Sequence, residues 1–139
     1  LCESGLLPGA LLHNNNQKFI CKNVYLTPSS KTAGLTKDLT QGKAYKIPIA
    51  HGEGRYFADD DTIQSLFDKD QVLFQYCNQD GIINDEVNPN GSVQNIAGVT
   101  NAAKNVMGMM PHPERAVDEL LGNQDGVALF ESLINLSLA

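Results

Sequence analysis

The run Met109-Met110-Pro111-His112-Pro113-Glu114-Arg115 places a histidine and a carboxylate two residues apart, directly after an apolar strand. Proline on both sides of His112 fixes φ and removes two backbone donors, so the segment is expected to leave the strand as a stiff, extended chain. In an extended chain, residues i and i+2 share a face, which predicts contact between Glu114 and the imidazole of His112. The pattern suits a general base and its orienting carboxylate. The alternative is a strand end whose histidine and glutamate only face solvent.

A second histidine with a carboxylate two residues later occurs in His51-Gly52-Glu53-Gly54-Arg55, again at the end of a predicted strand. The two glycines permit a close backbone approach, as a binding loop requires. A tight turn whose glycines supply positive φ is an equally good interpretation. The two His-x-Glu motifs together could also supply four ligands to zinc or manganese in a metal-dependent hydrolase. Spacing does not show that the motifs converge, so no metal ligand is assigned.

Short apolar runs separated by turn residues indicate a fold that mixes strands and helices. A short helix is predicted from Asp60 or Asp61, with an apolar face of Ile63, Leu66 and Phe67. A second helix is predicted over 126–138, and its core face is assigned to Val127, Phe130, Leu133, Ile134 and Ser137. Loops are predicted at 27–42, with a mobile tip, and at 78–95, where Asn90-Gly91-Ser92 reads as an exposed turn. Strands are predicted at 18–26, 45–50, 71–77, 96–100 and 106–110. The last two strands are expected to form a hairpin, and Pro48 favours an edge position or a bulge for the strand at 45–50.

Composition excludes several classes of function. The formal net charge of −6 and a pI near 4.8 disfavour binding to nucleic acid phosphates. No apolar stretch is long enough to span a membrane. The three cysteines, Cys2, Cys21 and Cys77, are too widely separated for a zinc site or a disulfide framework, and each is interpreted as a packing residue in a protein of the reducing cytoplasm.

Five separated segments of the sequence carry a resemblance to one family. They are Gly5-Leu6-Leu7-Pro8-Gly9-Ala10, Ile49-Ala50-His51-Gly52-Glu53-Gly54, Asn90-Gly91-Ser92, Ile96-Ala97-Gly98-Val99 and Gly108 through Asp118. With these segments, the chain resembles the glutamine amidotransferase subunits of phosphoribosylformylglycinamidine synthase, which are class I, triad-type amidotransferases. The resemblance implies an α/β fold, namely the C-terminal part of a flavodoxin-like class I glutamine amidotransferase sandwich with an added antiparallel section. Residues 1–139 are then expected to be the C-terminal portion of a single domain, without the half that carries the nucleophile.

The resemblance also implies a function: hydrolysis of glutamine to glutamate and ammonia in de novo purine biosynthesis. It assigns catalytic roles to His112 and Glu114 and a substrate-binding role to His51, Gly52 and Glu53. No cofactor is expected in this chain, because ATP and magnesium are used by the partner, a large synthetase subunit, and a small subunit is expected to bridge the complex. The isolated chain is expected to be inactive, since its nucleophilic cysteine is missing. The alternative is a non-catalytic module that only docks to the synthetase.

Overall fold

The computed structural model describes residues 1–138, which form two antiparallel sheets with two α-helices. The larger sheet has five strands in the order β3-β2-β5-β6-β7, and the smaller one pairs β1 with β4. Every strand pair in the described residues is antiparallel. The elements are β1 (Ala10–Leu12), β2 (Ile20–Pro28), β3 (Tyr45–His51), β4 (Arg55–Phe57), α1 (Asp60–Asp68), β5 (Val72–Cys77), β6 (Ile96–Thr100), β7 (Met107–Met109) and α2 (Val127–Leu138).

Core residues lie on both faces of the larger sheet, because β5 and β6 are buried along almost their whole length and successive residues of a strand point to opposite faces. In β3, every second residue from Tyr45 to His51 is buried. The hairpin of β6 and β7 has the predicted antiparallel pairing, with Gly98 opposite Met109. Among the described residues, no helix is both long and apolar enough to cross a membrane. The largest fully buried core side chains include Leu26, Ile47, Ile49, Leu73, Phe74 and Tyr76.

Strand β3 is an edge strand, as Pro48 predicted, and the chain after His112 covers its free side. The backbone N–H of His112 donates to the carbonyl of Pro48 at 2.8 Å. Two residues earlier, the N–H of Lys46 donates to the Asp125 carboxylate at 2.7 Å, and the Asn123 amide donates to the carbonyl of Lys46. Pro48 itself has no N–H that would need a partner. These contacts protect the edge from further strand pairing and fix the segment that carries His112.

Both helices exist, but their buried faces differ from the prediction. In α1, Asp59 is the N-cap, Ile63 and Leu66 are buried, and Phe67 is 39% exposed. Among the α2 side chains that the structure describes, Leu129 and Ser132 are buried and Val127 and Leu133 are half-buried. Phe130, Ile134 and Ser137 are exposed, so most of the predicted core face is wrong. Apolar residues occur around most of α2, so periodicity could not choose its face. Ser132 is buried because its hydroxyl donates to the carbonyl of Gly34 at 2.7 Å and accepts from the N–H of Asp38.

Parts of the two long loops are more buried than the sequence suggested. In the segment after β2, Ser30, Ala33 and Thr36 have no exposed surface, whereas residues 40–43 are exposed, as predicted for its tip. In the loop after β5, asparagine side chains accept hydrogen bonds from nearby backbone N–H groups and build its turns. Asn90 and Ser92, predicted to be exposed, are 0% and 2% exposed. Asn90 and Ser92 can be buried because their side chains form hydrogen bonds with each other and with the carbonyl of Gly54.

The carboxylate of Asp70 joins three loops at one end of the larger sheet. It accepts hydrogen bonds from Ser30 and Thr32, which follow β2, and from Lys104 at the tip of the β6–β7 hairpin. Burial raises the pKa of the Asp70 carboxyl, but the hydrogen bonds from Lys104, Thr32, Ser30 and the Lys31 N–H outweigh this effect and hold the pKa well below its usual range. The charged form is therefore the form that the fold stabilises.

We expect the Asp70→Asn variant to be less stable than the wild type by about 1–2 kcal/mol at pH 7, after allowance for partial exposure of the group. The pKa of Asp70 is lower in the folded state than in the unfolded state. The charged carboxylate therefore contributes fully to the free energy of unfolding above the ordinary pKa of 3.8, and this contribution is lost as the pH falls toward the folded-state pKa. Urea unfolding at pH 7 and at pH 3 measures this difference. A difference that stays constant between the two pH values would contradict the assignment.

Candidate functional site

His112 and Glu114 form a hydrogen-bonded pair. The Nδ1 atom of His112 lies 2.9 Å from Oε1 of Glu114, and their side chains are 31% and 57% exposed. A carboxylate only accepts hydrogen bonds, so it favours the tautomer with the proton on Nδ1 and leaves Nε2 free to take a proton. Arg115 is more distant, with its Nε at 3.8 Å from the same carboxylate oxygen. The pair therefore has the arrangement of a general base and its orienting group.

The predicted contact is correct, but the predicted backbone is wrong. Residues Pro113–Arg115 form a 3-10 turn that begins after His112, with Pro113 in its first position. Proline suits that position because its φ is already helical and the first N–H of a helix has no partner within the helix. The flanking prolines therefore do not give an extended chain, and the turn instead brings Glu114 back onto the histidine ring.

The backbone around the pair is held on both sides. Before it, the N–H of Met110 donates to the carbonyl of Ala97 on β6 at 3.1 Å. After it, the N–H of Gly126 donates to the carbonyl of Ala116 at 2.7 Å. A Cβ at Gly126 would lie 2.2 Å from the carbonyl oxygen of Pro113, so only glycine permits this close approach. With the bond from His112 to Pro48, these contacts fix the pair relative to the sheet.

His51 lies at the end of β3 in a buried polar network. Its Nδ1 is 3.0 Å from Oδ1 of Asn14, and its Nε2 is 3.5 Å from Nδ2 of Asn90. Burial lowers the pKa of His51, a hydrogen bond with its own backbone raises the pKa in part, and the positive charge that His112 can carry lowers it further. The fold therefore favours the neutral imidazole of His51.

The network joins segments that are far apart in the sequence. The Asn14 amide donates to the carbonyl of His51 at 2.9 Å, and its Oδ1 accepts from the N–H of Gly54. The Asn90 amide donates to the carbonyl of Gly54 at 2.8 Å and accepts from the hydroxyl of Ser92. The sequence did not predict a role for Asn14. The only signal was the run Asn14-Asn15-Asn16 before β2, which resembles an ordinary polar turn.

The carboxylate of the second His-x-Glu motif pairs with His13 instead of His51. Glu53 is exposed and lies 3.2 Å from Nε2 of His13, which is also exposed. The sequence also allowed a tight turn in which Gly52 and Gly54 supply positive φ. Neither glycine has a positive φ, so this interpretation is wrong. Gly54 is needed for another reason: a Cβ there would lie 2.3 Å from Nδ1 of His51, whereas a Cβ at Gly52 would meet only Phe19, at 4.0 Å.

The four-ligand metal hypothesis does not fit this geometry. Both ring nitrogens of His51 face amide side chains, and Glu53 pairs with His13 instead of joining the other motif. Within residues 1–138, no three histidine, cysteine, aspartate or glutamate side chains form a cluster that could hold a metal ion. The two motifs therefore do not combine into one metal site.

None of the three cysteines is arranged as an activated nucleophile. Burial raises the pKa of the Cys77 thiol to about 11. Burial also raises the pKa of Cys2, although the nearby N-terminal charge lowers it in part, and the Cys2 sulfur lies 3.7 Å from the carbonyl oxygen of Pro8. Cys21 is an exposed residue of β2, paired with Ala50 across the strands. A catalytic thiol needs a lowered pKa or an adjacent base, so these positions are better explained as structural.

Comparisons with known proteins agree with this geometry. Residues 3–128 match the family model of the CobB/CobQ-like glutamine amidotransferase domain. The chain is 51% identical over 135 residues to the phosphoribosylformylglycinamidine synthase subunit PurQ of Salinibacter ruber, and 53% identical over 133 residues to that of Chlorobium chlorochromatii. The alignments cover 97% and 96% of this chain but 57% of each relative. The chain therefore spans slightly more than half the length of these relatives.

A solved structure extends the similarity to the fold. A chain in the structure of PurLQS from Thermotoga maritima superposes with a TM-score of 0.81 at 45% identity, over 98% of this chain and 56% of that one. This match confirms the predicted fold class, and the family match confirms the resemblance found in the sequence. The chain belongs to the CobB/CobQ-like glutamine amidotransferase domain family.

Proposed function

We propose that this chain carries the histidine and glutamate part of the glutaminase in phosphoribosylformylglycinamidine synthase. The observation that carries the proposal is the 2.9 Å contact between Nδ1 of His112 and Oε1 of Glu114 on a backbone fixed to two strands. The relatives named above are PurQ subunits of that enzyme, which supports the choice of reaction. In this proposal, residues 1–139 are one part of a single amidotransferase domain.

In the proposed mechanism, Nε2 of His112 accepts the proton of a cysteine thiol that lies outside this chain. The thiolate attacks the side-chain amide carbon of glutamine, and a carbon–sulfur bond forms. His112 returns the proton to the nitrogen as the carbon–nitrogen bond breaks, so that ammonia leaves. Water, deprotonated by His112, then hydrolyses the thioester to glutamate and regenerates the thiol. Glu114 stabilises the imidazolium that forms in each half of the reaction.

The substrate and partners belong to the same proposal. Glutamine would bind where the turn of His51, Gly52 and Glu53 borders the site. The hydrogen bond from His112 to Pro48, on the strand that ends at His51, supports this placement. The main chain of the turn fits the role better than the Glu53 carboxylate, which pairs with His13. We further propose that the ammonia passes to a large synthetase subunit, which uses ATP and magnesium, with a small bridging subunit in the complex and a cytoplasmic location.

The proposal is tested with protein made from the complete gene, mixed with its synthetase subunits and supplied with glutamine. We expect release of glutamate, and amidation of formylglycinamide ribonucleotide when ATP is present. Residues 1–139 alone are expected to release no glutamate. Burial raises the pKa values of Cys2 and Cys77, and Cys21 lies exposed on a strand. Glutamate release by the isolated chain would overturn the second expectation. A complete gene product that binds the synthetase without hydrolysing glutamine would favour the docking-module alternative.

We expect the Glu114→Gln variant to lower kcat for glutamine hydrolysis by about 10²-fold, since a neutral amide no longer stabilises the imidazolium of His112. The KM for glutamine should change little. Initial rates across a range of glutamine concentrations measure both constants. The matched control is Glu119→Gln, which neutralises an exposed carboxylate on the next turn and should leave kcat unchanged. Equal losses in the two variants would contradict a specific role for Glu114.

A further inference from the structure

A cluster of hydrogen-bond donors surrounds the carboxylate of Asp70, away from the His112 site. The N–H groups of Lys31 and Thr32 donate to it at 3.0 and 3.2 Å, and the hydroxyls of Ser30 and Thr32 donate at 2.9 and 2.5 Å. The ammonium of Lys104 completes the set at 2.8 Å. We call the donors of Ser30, Lys31, Thr32 and Lys104 the Asp70 nest, because successive backbone N–H groups of this kind bind anions.

The backbone indicates that the anion holds this arrangement together. Asp70 and Lys104 have φ values of 55° and 56°, in the left-handed region that favours glycine. Neither residue adopts this conformation without cost, and both side chains meet in the nest. The nest is also anchored from below, since the buried Ser30 hydroxyl accepts a hydrogen bond from the N–H of Ala33 at 3.0 Å. The donors are therefore organised by contacts that do not all depend on Asp70.

We propose that the Asp70 nest is an anion-binding site whose resident ligand is the chain's own carboxylate, and that it takes free acetate when that side chain is removed. The side chain of aspartate beyond Cα consists of the atoms of acetate, so replacement by glycine leaves a space of that size. Five donors converge on the two oxygens, one of them cationic, which fits a monocarboxylate. Entry from solvent is open, because the Asp70 side chain is 32% exposed.

The experiment uses Asp70→Gly in the protein made from the complete gene, with its thermal unfolding followed in acetate and in chloride at matched ionic strength. Glycine also removes the cost of the left-handed backbone, so the nest is emptied without new strain. We expect acetate to raise the midpoint of unfolding by a few degrees in a saturable manner, as a ligand of the folded state does. Trimethylacetate, which carries the same charge on a bulkier group, should give no such rise.

Two matched variants separate the nest from a general salt effect. Asp70→Asn fills the nest with an amide of the same shape and should not respond to acetate. Asp70→Gly combined with Lys104→Met removes the cation and should shift the acetate response to at least tenfold higher concentration. If Asp70→Gly does not fold in chloride, the yield of refolded protein in acetate against chloride becomes the readout. Equal yields in the two salts, or an acetate response in the wild type or in Asp70→Asn as large as that of Asp70→Gly, would overturn the proposal, which is independent of the glutaminase reaction.

Discussion

The His112→Ala variant is expected to lose glutamine-dependent activity by at least about 10³-fold while it keeps ammonia-dependent synthesis. His112 is the group in this chain that can both accept the thiol proton and return it to ammonia, because Glu114 occupies Nδ1 and leaves Nε2 free. Ammonia supplied in solution bypasses the glutaminase. The measurement is the rate of amidation by the complete complex, with glutamine or with ammonium chloride as the nitrogen source.

The control for this prediction is His13→Ala. His13 also pairs with a glutamate, but both side chains are more than half exposed. Its loss should leave both activities intact. If His112→Ala abolishes synthesis from ammonia as well, the variant has damaged the complex and the proposed role is not supported. If it retains glutamine-dependent synthesis, His112 is not the base.

The contact between His112 and Glu114 could be predicted from the sequence because it is local. One residue, Pro113, separates the partners in the chain, and either an extended segment or a turn can bring them together. The backbone that does so was predicted wrongly, since proline disfavours the interior of a helix but suits its first position. The edge position of β3 was also predictable, because Pro48 cannot donate to a neighbouring strand on its free side.

The environment of His51 could not be predicted, because its partners are distant in the sequence. Asn14 is 37 residues away and Asn90 is 39 residues away. Composition places asparagine and serine in exposed turns, yet Asn90 and Ser92 are buried since each satisfies its polar groups across the fold. The prediction of the buried face of α2 failed for a related reason. Ser132 is buried because it forms hydrogen bonds with residues more than ninety positions earlier in the chain.

The Gly54→Ala variant should be less stable than the wild type by about 2–3 kcal/mol, because the added methyl group has no space. Its Cβ would lie 2.3 Å from Nδ1 of His51, and the imidazole is confined by Asn14 and Asn90. The ring must move, and the hydrogen bond to Asn14 must lengthen or break. A buried amide oxygen then loses a partner, which adds to the cost of the overlap.

Gly52→Ala is the matched control, because it makes the same chemical change two residues away in the same turn. Its Cβ would meet only the ring of Phe19, at 4.0 Å, and its φ lies outside the left-handed region. The change in its unfolding free energy should stay within about 0.5 kcal/mol, and a small gain is possible because alanine restricts the unfolded chain. Urea unfolding of both variants, in protein made from the complete gene, measures the difference. Equal destabilisation would mean that the turn needs glycine for its backbone, whereas a loss confined to Gly54→Ala would locate the requirement in the packing of the His51 ring.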